Sequence, residues 1–181
     1  MPGCGWRAIK SALLALGVLG ALVLPVAAKR GDKQGWSLLS DRDAGTKKRA
    51  ARNRALLIYV PAKDGLRVLT FGCLRDAESF EILFEGFSEP RASRTSVTLI
   101  LTNGQARYQT RGEIGFFTGS LSFDSNTIVD AKVLRQIADG LLPVLEGPGP
   151  IVVTLGPTKR DVPVAGLAEP LKRFRAACFG A

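Results

Sequence analysis

The sequence predicts an α+β fold: an antiparallel, β-rich sheet packed by two helices, the second of them C-terminal, with one disulfide. Three observations carry that prediction. Short runs with a period of two recur between residues 66 and 123, the signature of strands buried on one face. Asn103-Gly104 lies between two such runs, and this dipeptide is a strong two-residue hairpin signal. Two stretches, from Ile128 and from Gly166, change to helical spacing.

In chain order, the first feature is the apolar run Ser11 to Ala28, preceded by Arg7 and Lys10 and closed by the small residues Val26, Ala27 and Ala28. A charged start, an apolar centre and a small-residue exit make a secretory signal peptide over residues 1–28. The alternative is a retained N-terminal anchor: about 18 apolar residues are close to a membrane-spanning length, although Pro25 interrupts a continuous helix. Either reading takes the chain out of the cytosol, into the periplasm or the medium, or onto the inner membrane.

Residues 29–54 lack sustained periodicity and are rich in charge, Gly and Ser, so they read as a basic flexible linker with Trp36, Leu38 and Leu39 as its only docking groups. This segment holds nine basic and three acidic residues and supplies most of the net charge of +9. From Ala55 onward there are fourteen basic and thirteen acidic residues, so the folded part is nearly neutral. Basicity confined to a tail argues against a nucleic-acid partner. Lys47, Lys48, Arg49, Arg52 and Arg54 form the candidate cluster for an anionic membrane surface, each worth up to about 1 kcal/mol there.

A single globular domain occupies 55–181, with enough apolar content for a core (46% of the whole chain). Leu56 to Val60 is an apolar run stopped by Pro61, and Lys63-Asp64-Gly65 is a turn. Leu66 to Cys73 alternates, which puts Cys73 on the face of Leu69 and Phe71. Ser79 to Phe87 fits a strand with Phe80, Ile82 and Phe84 on one face, or a helix with Phe80, Leu83, Phe84 and Phe87 as its stripe. Gly86 and the β-rich surroundings favour the strand. Around Asn103-Gly104, pairing outward sets Leu101 against Ala106, Leu99 against Tyr108 and Val97 against Thr110. Glu113 to Phe123 reads as one further strand burying Ile114, Phe116 and Phe117, broken by Asp124 to Thr127, which offer helix caps. Val129, Val133, Leu134, Ile137, Leu141 and Leu142 give a helical stripe ending at or soon after Gly140 and Pro143. Ile151 to Leu155 is a strand, Pro157 to Asp161 a connection and Val162 to Ala165 a short strand. Gly166 to Phe179 is a helix with Leu167, Leu171, Phe174 and Cys178 on its buried face.

Of three cysteines, Cys4 leaves with the signal peptide, and Cys73 and Cys178 remain. In an oxidising compartment this pair forms one disulfide. It closes a loop of about 105 residues, worth roughly 4–5 kcal/mol in the chain-entropy picture.

The chain contains no histidine. That removes Ser-His-Asp and Cys-His nucleophile systems, histidine zinc sites and the commonest general base at neutral pH. Gly-Pro-Gly-Pro at 147–150 and the stretch Leu155 to Lys159 lack the amide donors of a phosphate loop, because proline has none. No cofactor is implied. The enzymatic arrangement still open is a small carboxylate-based hydrolase using Glu81 and Glu85, about 13 Å apart on one strand face at ~3.3 Å per residue, with Asp76 or Glu78 completing it. Arg91, Arg94, Arg107 and Arg111 otherwise make an ordinary solvated sheet face.

Leu66 to Cys73 (LRVLTFGC), the central hairpin, and Val162 to Cys178 (VPVAGLAEPLKRFRAAC) together resemble small exported proteins of Gram-negative bacteria, over about residues 66–178. The nearest are the type VI secretion accessory family of VasI type and the invasion-associated locus B family. The resemblance implies a non-catalytic accessory or interaction protein of the cell envelope, β-rich and with one disulfide, acting on a protein partner it does not identify.

Overall fold

A computed structural model of the chain describes residues 34–40, 54–62, 67–74, 78–87, 96–117 and 120–180. Among the described residues nine strands form one sheet: β1 (Gly35–Ser40), β2 (Arg54–Val60), β3 (Leu69–Leu74), β4 (Ser79–Glu85), β5 (Ser96–Asn103), β6 (Ala106–Phe117), β7 (Ser120–Ile128), β8 (Ile151–Leu155) and β9 (Thr158–Val162). Helix α1 (Ala131–Leu145) lies between β7 and β8, and α2 (Ala168–Cys178) follows β9. The strand order is β1-β2-β3-β4-β7-β6-β5-β8-β9, with every pairing antiparallel. The expected α+β class, with its sheet and two helices, is what the chain adopts.

One sheet face carries the core. Because side chains alternate, Leu57, Phe71 and Ile82 share a row across β2, β3 and β4, and Leu69, Phe84, Phe123 and Ile114 share another across β3, β4, β7 and β6. Each of these is 0 or 1% exposed. Helix α1 packs on β5 and β6 through Ile137, Leu141, Val144 and Leu145, and α2 packs on β1 and β2 through Leu171, Phe174 and Cys178. Phe80 meets Phe174 edge-on at 6.5 Å and Phe179 at 6.0 Å, so an aromatic cluster joins α2 to the sheet.

The strand reading of Ser79–Glu85 holds, with Phe80, Ile82 and Phe84 buried together. Several local expectations are corrected. The supposed linker contains β1, which pairs with β2 from Gly35↔Val60 to Ser40↔Ala55. Trp36 supplies what its polar neighbours do not: it packs on Tyr59 at 5.3 Å and its indole N–H donates to the Pro163 carbonyl at 2.6 Å. Pro163 follows β9, at the far edge of the sheet, so the sheet curls until its two ends meet beside α2.

The β5–β6 register differs by two residues from the expected one. Asn103 pairs with Ala106, Leu101 with Tyr108 and Leu99 with Thr110, so the turn is Gly104-Gln105. Gly104 takes φ +58 while Gln105 keeps a negative φ, the pattern of a hairpin turn with glycine first. Asn103 is held in the strand because its side chain is needed elsewhere. Its amide donates to the carbonyls of Val144 (3.0 Å) and Gly149 (2.8 Å), and its oxygen accepts from the Gly149 N–H (3.0 Å). A two-residue slip keeps every side chain on its expected face.

The stretch Glu113 to Phe123 is the junction of two strands, with β6 running to Phe117 and β7 starting at Ser120. Ile114 is buried, but Phe116 is 74% exposed, because it stands near the projecting end of this hairpin, opposite Leu121. Asp124 to Thr127 continue β7 because they pair with β4, and the helix cap is Asp130, whose carboxylate accepts the Val133 N–H at 2.7 Å. Pro143 lies inside α1, which ends at Leu145. Residues 158–162 form β9 through a tight turn at Gly156-Pro157, where a connection was expected.

Candidate functional site

The two cysteines arrive from opposite ends of the folded region. Alternation along β3 turns Cys73 to the core face in a row with Ala55 and Phe80, and α2 delivers Cys178 one turn after Phe174. Their Cα atoms are 5.9 Å apart and the sulfurs are bonded. Both are about 95% buried, at 4 and 5% exposure. The bridge therefore ties the last turn of α2 to the third strand.

Of the basic cluster, Lys47, Lys48, Arg49 and Arg52 lie outside the described residues. Arg54 opens β2 and places its guanidinium 2.8 Å from Glu81. Glu81 reaches it across β3 by lying over Gly72, where an added Cβ would sit 2.6 Å from the Glu81 Cγ. This position needs glycine for the close approach. Arg107 and Arg111 are exposed on β6, and Arg107 donates to Gln109 at 3.3 Å. Arg91 and Arg94 fall outside the described residues.

The carboxylates divide similarly. Glu81 and Glu85 share a face of β4, as expected. Glu78 is a turn residue with φ +46, its carbonyl accepting the Val129 N–H at 2.6 Å, and Asp76 lies outside the described residues. The sequence alone did not single out Asp124. It pairs with Leu83 on one side and Glu113 on the other, one row from Glu81. Burial holds its carboxyl pKa above the usual range, and the nearby negative charges of Glu81 and Glu113 raise it further. Its Oδ1 and the Ser122 Oγ are buried without a hydrogen-bond partner. No sequence signal finds this trio, because Asp124 joins the others only once β7 pairs with both β4 and β6. Among the described residues no group of three His, Cys, Asp or Glu side chains is arranged to hold a metal ion. No described helix is long and apolar enough to cross a membrane.

A groove of about 420 Å³ separates the end of α1 from α2. Leu145, Leu167 and Leu171 give it an apolar lining, while Glu146, Lys172 and Arg175 contribute the charged groups. Glu146 and Arg175 form an ion pair between the two helices.

The protein is thus defined as a disulfide-stapled antiparallel sheet with two helices on its core face. No protein-family model matches the chain, and comparisons with curated proteins and with solved structures find no significant match.

Proposed function

We propose that the protein is a non-catalytic accessory or interaction protein of the bacterial cell envelope, exported to the periplasm and engaging a protein partner there. The observation that carries this reading is the Cys73–Cys178 bridge, buried in the core between β3 and α2. A structural disulfide persists in an oxidising compartment and is rare in a reducing one. The signal-peptide pattern of residues 1–28 and the likeness of residues 66–178 to envelope accessory proteins support the same location. The lack of histidine supports a binding role over a catalytic one.

The test is fractionation of a Gram-negative host expressing the full chain, with thiols labelled by a maleimide polymer before and after reduction. The expected result is periplasmic protein of a mass lacking residues 1–28, labelled only after reduction and cross-linked to a protein of the envelope. Cytosolic protein labelled at Cys73 and Cys178 without reductant overturns the location. A turnover abolished by Glu81→Gln or Glu85→Gln overturns the non-catalytic role.

A further inference from the structure

We propose that the groove between α1 and α2 binds a single-chain alkyl carboxylate, its tail along the apolar lining and its carboxylate on Lys172. Ala168, Leu171, Lys172 and Arg175 stand at i, i+3, i+4 and i+7, so one face of α2 presents two apolar positions and then two cations to the groove. The apolar part is completed from outside the helix by Leu145, Leu167 and Val164, of which the half-buried Val164 presents the most surface. Of the two cations, Arg175 is engaged by Glu146 across the groove. Lys172 is exposed and makes no ion pair among the described residues, leaving one positive charge beside an apolar trough. That charge matches one anionic head. The volume of about 420 Å³ lies in the range of small-ligand sites, roughly 300–1,000 Å³. Ala168, small and exposed, leaves the first turn of α2 open as the way in.

The ligand class follows from these features together. A cationic amphiphile would set its head against Lys172, and a short carboxylate such as acetate would leave the apolar lining unused. An alkyl chain ending in a carboxylate satisfies both parts, since a charge-assisted contact and the burial of methylene groups are separate favourable contributions.

The experiment is calorimetric titration of the full chain with dodecanoate below its micelle concentration, beside acetate and dodecyltrimethylammonium. The expected result is saturable binding of dodecanoate at one site per chain, with neither comparison compound saturating. Lys172→Glu weakens the binding about tenfold or more, the scale of one hydrogen bond to a charged group. Ala168→Trp, which fills the groove, abolishes it. Both positions are exposed, and unchanged melting temperatures show that the variants fold. Absence of saturable binding overturns the proposal. So does equal binding by both variants, which would place dodecanoate on another apolar part of the chain.

Discussion

Asn103 makes three hydrogen bonds from a side chain that is 3% exposed, all to backbone groups at or after the end of α1. Gly147 packs so closely on this amide that an added Cβ would fall 2.4 Å from its Cγ. Asn103→Ala leaves the buried Val144 carbonyl and the half-buried Gly149 backbone without their partner and is expected to cost about 2–4 kcal/mol, read from urea unfolding at unchanged slope. Asp124 is governed by charge and by burial. Its pKa is raised in the folded state, so the folded form holds a proton that the unfolded form gives up. Its contribution to stability is full below the ordinary value of 3.8 and is lost as the pH rises through the elevated folded value. Asp124→Asn should therefore be more stable than the parent at neutral pH, with the difference shrinking on acidification. Melting temperatures measured from weakly acidic to neutral pH check this, and a variant less stable at neutral pH contradicts it.

Among the elements, α2 depends most on what is bonded to it. The residue at its N-cap, Leu167, supplies no side-chain hydrogen bond, so its attachment comes from Leu171, Phe174 and the disulfide. Removing the bridge with Cys73→Ala and Cys178→Ala is expected to cost about 4–5 kcal/mol from restored loop freedom across 105 residues. The measurement is equilibrium unfolding of the double variant beside the parent. Helix α1 has its cap, and Asp130→Ala should cost about 1 kcal/mol. The elements legible in the sequence were those whose own residues decide them. The periodicity of residues 66–73 predicted a buried Cys73, and the spacing of 167, 171, 174 and 178 predicted the buried face of α2. The β5–β6 turn was misplaced because Asn103 answers to a distant loop instead of its own hairpin. β1 was missed because its polar residues tolerate an edge strand only with Trp36 anchored elsewhere. The acid cluster of Glu81, Asp124 and Glu113 has no local signal at all, since pairing of β7 with both β4 and β6 assembles it.

On the scale of the whole molecule, the bond from Trp36 to Pro163 joins the edge strand β1 to the chain leaving the opposite edge strand. Closing the sheet this way makes its two ends depend on each other. Tryptophan emission from a chain with Trp6→Phe, which leaves Trp36 as the single tryptophan, should therefore change at the same urea concentration as the far-ultraviolet ellipticity. Separate transitions would show that β1 detaches before the rest.

The disulfide also sets a timetable. Cys73 is synthesised 105 residues ahead of Cys178, and at about 5–20 residues per second its partner follows roughly 5–20 s later. The native bridge therefore cannot form until every strand of the sheet and nearly all of α2 have been synthesised, so it closes on a sheet already complete in sequence.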